Sequence, residues 1–265
     1  MKFEHTEVFN IAGALRGMRN PMNSWHLSDS EYKTPCVLNR EGEYCETCVH
    51  DTCRSGFIES ETYVVGKNDM SLAQKLIRAG SEHRKFLRQI FIVVDITAPL
   101  YWWKEFDTYK VGTVANSQST MHKIASHRIS LDCFEIADYD NSLGMVDDIN
   151  VGVRIENFID DLEQLRQMHL YYKDMAKDSS ENAEMRQEYE ELAKKYWKEL
   201  IRWLPESWLQ TRTVTLNYEN ILSIIKQRKH HKLSEWSTDF MKWAKELPYA
   251  YEFLIEPFEN AEAER

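Results

Sequence analysis

Hydrophobic positions recur at helical intervals through most of the second half of the chain. In VGVRIENFIDDLEQLRQMHLYYKDMAKD, residues 151–178, the side chains of Ile155, Phe158, Ile159, Leu162, Leu165 and Met168 fall three and four apart. That spacing lays an apolar stripe along one helical face. NAEMRQEYEELAKKYWKELIRW, residues 182–203, continues in the same manner after a break at Ser179-Ser180. Two long helices forming an antiparallel pair are predicted. After Leu204-Pro205 the pattern predicts a helix over 213–229 and another over 234–247. Upstream, Asn68-Asp69 reads as an N-cap for a helix carrying Leu72, Leu76, Ile77, Phe86 and Leu87. IFIVVDI, residues 90–96, is a short β-branched run and reads as a strand. Pro99 suits the first turn of a following helix that bears Trp102, Trp103 and Phe106, three aromatics that read as core.

These elements predict an α+β fold, rich in helix, with a small antiparallel sheet and a long antiparallel helix pair. Residues 1–67 read as an irregular N-terminal segment and residues 68–265 as the α+β domain. A chain 43% hydrophobic and 12% aromatic is expected to fold. With 43 acidic against 33 basic residues, its net charge of −10 argues against a nucleic-acid coat, which needs a broad basic surface. A small polyanion remains compatible where a few Arg and Lys residues converge. The N-terminus lacks the apolar core of a signal peptide, and no run suggests a membrane span, so a cytoplasmic protein without membrane or nucleic-acid partners is expected.

Four of the five cysteines, Cys36, Cys45, Cys48 and Cys53, form a C-x8-C-x2-C-x4-C cluster. Four thiolates brought together by tight turns suit a structural zinc; an iron–sulfur cluster and free thiols are the alternatives. Cys133, in LDCFEIAD, reads as a small buried hydrophobe. In RGMRNPMNSWHLSDSEY, Arg16 and Arg19 are spaced to meet an anion from one face, and a polar loop is the plainer reading.

In LPESWLQTRTVTLNYENILSIIKQR, Asn217 follows Pro205 by twelve residues and Arg228 follows eleven later. This order resembles the flavin-dependent thymidylate synthases, in which a leucine-proline turn precedes an asparagine and a nucleotide-binding arginine. APLYWWKEFDTYKVGTVANSQSTM is similar to that family's A-P-x-x-x-x-x-Q segment and its signature R-H-R-x-x-S-x-N-E-x-S-x-R. Asn116 and Ser119 match the signature; Tyr109, Lys110 and Val111 stand for R-H-R, and Glu105 lies near the glutamine. Glu82-His83 resembles a Glu-His pair ahead of the family's strand. The resemblance spans about residues 70–250.

The resemblance implies reductive methylation of dUMP with methylenetetrahydrofolate, using hydride from FAD that NADPH has reduced. It also implies a homo-oligomer, a homotetramer, with sites between subunits. It makes Arg228 and Ser119 catalytic and substrate-binding residues and adds Glu105 and Arg202 as substrate contacts. Asn217, His83, Lys110 and Asn116 are the implied cofactor contacts. A noncatalytic nucleotide-binding or structural module on the same fold is the alternative. The residues alone leave plainer roles open: Asn217 and Ser119 as helix caps, Glu82-His83 as a solvated pair, and Arg228 as a cation offsetting a helix dipole.

Overall fold

The structure, a computed structural model, describes residues 1–33, 62–137, 145–146, 149–179 and 182–258. In chain order the strands are β1 (Lys2–Phe9), β2 (Glu31–Lys33), β3 (Thr62–Val64), β4 (Phe91–Pro99), β5 (Val114–Ser117), β6 (Met145–Val146), β7 (Ile149–Asn150) and β8 (Leu209–Asn217). The helices are α1 (Ile11–Met18), α2 (Lys67–Ala79), α3 (Leu100–Phe106), α4 (Thr120–Lys123), α5 (Val151–Asp178), α6 (Ala183–Arg202), α7 (Tyr218–Arg228) and α8 (Met241–Lys245). The principal sheet has the order β1-β4-β8-β5; β2-β3 and β6-β7 are antiparallel ribbons. The α+β class, rich in helix with a small antiparallel sheet, is as expected. The chain divides into two compact units: Met1–His5, Val94–Lys110 and Val114–Val214 form one, and Thr6–Val93, Val111–Thr113 and Thr215–Arg265 the other.

In the first unit, β4 leads directly into α3 with Pro99 as the residue before the helix. Trp102 stacks on Phe106 with ring centroids 5.1 Å apart and meets Trp103 edge-on at 4.9 Å, and all three are buried. Trp103 donates its indole N–H to the Gln210 carbonyl at 2.9 Å.

The long helices stand at 151–178 and 183–202, within a residue of the sequence pattern. α5 has 28 residues and extends roughly 42 Å. Asn182 caps α6, its side chain accepting the Met185 N–H at 3.2 Å. Ile159, Leu162 and Leu200 are buried with Ile124, Ile129 and Phe134, whereas Ile155 and Phe158 are exposed. α6 ends at Arg202, two residues beyond Leu200, so the first turns of α5 run past their partner helix.

In the second unit, α2 runs from Lys67 to Ala79 and is followed by Gly80, whose φ of 112° no β-carbon-bearing residue adopts comfortably. Phe86 and Leu87 therefore sit on a separate 3₁₀ turn, Lys85–Gln89, rather than on a continuation of α2. Asp29 supplies the α2 cap, accepting the N–H groups of Asn68 and Asp69. Asp69 is fully buried and accepts from Arg19 Nε at 2.5 Å, Ser28 Oγ at 2.6 Å and Ser30 Oγ at 2.5 Å. Burial pushes its pKa upward, but those three hydrogen bonds and the Arg19 charge outweigh burial and hold it below the usual carboxylate value. Arg19, 3% exposed, is thus a core partner of Asp69 and has no surface to offer an anion.

The predicted helix over 213–229 divides at Asn217. Thr213 to Leu216 belong to β8, where Val214 and Leu216 are buried and Thr213 and Thr215 point the other way. α7 then starts at Tyr218. The helix predicted at 234–247 is a π-helical turn, Glu235–Phe240, followed by α8, and it buries Trp236, Phe240 and Trp243.

Candidate functional site

The loop between β5, which ends at Ser117, and α4 carries Gln118 and Ser119. Alternation along β8 supplies the residues that hold it. The Gln118 N–H donates to the Thr211 carbonyl at 2.9 Å, and Gln210 Nε2 donates to the Gln118 carbonyl at 2.8 Å and to Thr120 Oγ1 at 3.1 Å. Arg212 orients Gln210 through Nε to Oε1 at 2.9 Å. Its guanidinium in turn lies 4.2 Å over the Trp103 ring and donates to Asp107 at 2.9 Å. The loop is therefore bonded through both backbone and side chains to a strand that packs on a buried aromatic cluster.

Beyond the loop, residues 124–134 are fixed by α5. The Ile129 N–H donates to Glu163 Oε2 at 2.8 Å, and Arg166 donates both to Glu163 and to the Ala125 carbonyl, the latter at 3.1 Å. Arg166 stabilises the Glu163 carboxylate most strongly; against the cost of burial, and with help from Ile129 and Gln167, its pKa falls to about 2.

Between these anchors lies a cavity of about 570 Å³, a size suited to a small molecule. Ser119, Thr120 and Thr97 contribute hydroxyls; Lys2, Lys123 and Arg128 contribute positive charge, and Asp132 and Glu135 negative charge, Glu135 being paired with the Met1 amino group at 3.5 Å. Ile124, Phe134 and Trp208 supply an apolar wall, the last two in edge-to-face contact at 5.5 Å. Cys133 also lines the cavity and is half-buried, with Sγ 3.7 Å from the Arg128 carbonyl. Hydroxyls and cations over an aromatic wall can hold an anionic group and a flat ring together.

The residues singled out from sequence occupy several places. Ser119 caps α4, accepting the His122 N–H at 3.4 Å, and also lines the cavity. Asn116 on β5 and Lys110 after α3 are exposed, while Glu105 is half-buried on α3. Arg202, the last residue of α6, pairs with Glu199. In the second unit His83 is exposed in the turn after α2. Asn217 and Arg228 stand at opposite ends of α7, an 11-residue helix roughly 16 Å long. Asn217 is buried in a capping box: its Oδ1 accepts the Asn220 N–H at 3.0 Å, and Asn220 Oδ1 accepts the Asn217 N–H at 3.1 Å.

Asn220 also donates to the Val111 carbonyl at 2.7 Å, bringing the Val111-Gly112 turn against this cap. Gly112 has φ 78°, and a β-carbon there would lie 2.9 Å from Asn217 Nδ2. Arg228 spreads over the Trp236 ring at 5.1 Å. Cys36, Cys45, Cys48 and Cys53 lie outside the described residues. Sequence reasoning missed Gln210, Arg212, Lys123 and Arg128; the alternation in LQTRTVTLN was the available signal for the first two.

A four-stranded sheet of this order, a long helix hairpin and a capped helix after the last strand define an α+β protein, with a cavity behind the β5–α4 loop. Among solved structures, the chain is similar to flavin-dependent thymidylate synthase ThyX from Helicobacter pylori complexed with FAD and dUMP. The likeness has a TM-score of 0.53 and 14% identity, and covers 97% of this chain and 98% of that one. A second Helicobacter pylori ThyX structure with FAD and dUMP gives the same TM-score of 0.53 and 14% identity over 98% of this chain and 100% of that chain. No protein-family model and no curated protein matches the sequence. The fold is that of the flavin-dependent thymidylate synthases. Among the described residues, no helix is long and apolar enough to cross a membrane.

Proposed function

We propose that this chain is a diverged flavin-dependent thymidylate synthase that binds a deoxyuridine nucleotide in the cavity behind the β5–α4 loop. The observation that carries the proposal is the cavity lining: Ser119 and Thr120 on a fastened loop, Lys123 and Arg128 beside them, and Phe134 and Trp208 as an apolar wall. The phosphate of a mononucleotide suits the cations, and the pyrimidine suits the aromatic wall. The fold supports the same reading, since the similar ThyX structures carry FAD and dUMP.

The donor set also fits FAD. Lys110 and Asn116 are both exposed, and a cation and an amide are groups that suit a dinucleotide diphosphate. Asn217 has its carbonyl oxygen engaged in the helix cap and retains amide hydrogens for a cofactor. When bound, reduced FAD supplies the hydride needed to methylate dUMP with methylenetetrahydrofolate, and NADPH restores it. The chain's own task is orientation and charge. Ser119 donates to the nucleotide, Lys123 and Arg128 hold its phosphate, and Arg228 stabilises negative charge developing on a pyrimidine. A homo-oligomer allows different chains to contribute these residues. Glu105, Arg202 and His83 complete the proposed set of contacts.

A second reading, a noncatalytic nucleotide-binding module, is favoured by the Asn217–Asn220 capping box, which accounts for Asn217 without a ligand. Turnover separates the two. With dUMP, methylenetetrahydrofolate, FAD and NADPH under anaerobic conditions, the protein is expected to form dTMP, and Ser119→Ala to lower the rate at least about tenfold. Nucleotide binding without any dTMP would leave the noncatalytic module and reject the synthase.

A further inference from the structure

A second cavity, of about 730 Å³, is formed by α4, α5 and α6 within the first unit. On α5 its lining residues His169, Lys173, Ala176 and Lys177 fall at positions i, i+4, i+7 and i+8, a single stripe. On α6, Arg186, Glu190, Ala193 and Lys194 repeat that spacing, and Trp197 extends it by a turn. Facing stripes of this kind usually close on one another through long side chains. Here alanines stand at the deepest positions, with Ala176 and Ala193 each 6% exposed.

Bonded groups frame the space between the helices. Trp197 donates its indole N–H to the Met121 carbonyl at 3.1 Å, which fixes α4 over one end. His169 Nδ1 lies 2.9 Å from the Ala193 carbonyl oxygen. A carbonyl only accepts, so Nδ1 carries the hydrogen and Nε2 is left for another partner. Tyr172 and Tyr196 stack at 5.5 Å and brace the two helices beside the cavity.

The charge on the lining is not balanced. Lys177 pairs with Asp174 at 2.8 Å, and Arg186 pairs with Glu190 at 2.9 Å. Lys173 on α5 and Lys194 on α6 are exposed and make no ion pair among the described residues. In a chain of net charge −10, two unpaired cations facing across an apolar floor of Ala176, Ala193 and Trp197 call for an anion with an apolar body.

We propose that this cavity binds an amphipathic organic anion, with its acidic head between Lys173 and Lys194 and its apolar body against Trp197 and the two alanines. It is a site separate from the nucleotide cavity, sharing none of Ser119, Thr120, Lys123 or Arg128. The class is a sulfonate, carboxylate or phosphate monoester on an aromatic or aliphatic frame.

The probe for this site is 8-anilinonaphthalene-1-sulfonate, titrated into the full-length folded protein and followed by its fluorescence. One saturable site is expected, and excess dUMP leaves it unchanged. The double variant Lys173→Glu/Lys194→Glu, which alters only exposed side chains, weakens binding at least about tenfold while the thermal midpoint stays at the wild-type value. Raising the salt concentration weakens the wild type more than the variant. The neutral analogue N-phenyl-1-naphthylamine is insensitive to the charge reversal. The proposal is overturned by an absence of saturable binding, by equal affinity of wild type and variant, or by displacement of the probe with dUMP.

Discussion

Glu163 carries the clearest consequence of a single side chain. It is 6% exposed, paired with Arg166 at 2.7 Å, and accepts the Ile129 N–H, so it joins α5 to the segment that walls the cavity of about 570 Å³. Its folded pKa of about 2 lies below the ordinary 4.5. The folded state therefore keeps the proton off at acidities where the unfolded chain takes it up. The stabilisation is complete above pH 4.5 and is lost as pH falls through about 2. A shift of that size corresponds to about 3 kcal/mol. Glu163→Gln is expected to lower unfolding stability at pH 7 by about 2–4 kcal/mol. Denaturant titrations should show the gap to wild type narrowing as pH drops below 4.5. An unchanged gap across that range would mean that packing, not charge, makes the residue matter.

At the scale of elements, the α5–α6 hairpin was legible because its apolar spacing repeats over 28 and 20 residues, and a break with a capping asparagine separates the two helices. β8 was not. Val214 and Leu216 alternate, but the run is short and passes without interruption into Ile221 and Leu222, which fit a helix. The boundary is Asn217, and it is made by side-chain chemistry that hydropathy does not register. Asn217→Ala should cost about 1–2 kcal/mol by removing the cap, whereas Asn217→Asp keeps the accepting oxygen and most of the stability. If Asn217→Asp melts near wild type yet loses flavin affinity, the amide hydrogens serve the cofactor. If neither stability nor flavin affinity changes in either variant, both assigned roles fail.

The candidate site was legible to a similar degree. Ser119 stood out as a polar residue after an aromatic run, but Gln210 and Arg212 act on partners 92 and 105 residues away in sequence. Such contacts leave no local periodicity. Arg19 was equally opaque: its spacing from Arg16 left an anion contact open beside the plainer polar-loop reading, while the partner that matters, Asp69, lies 50 residues on.

At the scale of the whole molecule, the fold is shared with the similar ThyX structures over nearly all of the chain at 14% identity, while Asn116 and Ser119 are the positions that match the signature. That combination is physically reasonable, because apolar volume and pattern sustain a fold through many substitutions, whereas a site depends on particular donors. The central claim is that the nucleotide and flavin functions persist through replacement residues. Titration of the purified protein with FAD, followed by absorbance and fluorescence with and without dUMP, tests it most directly. Saturable flavin binding that shifts when dUMP is added is the predicted result; no flavin binding under either condition would contradict it.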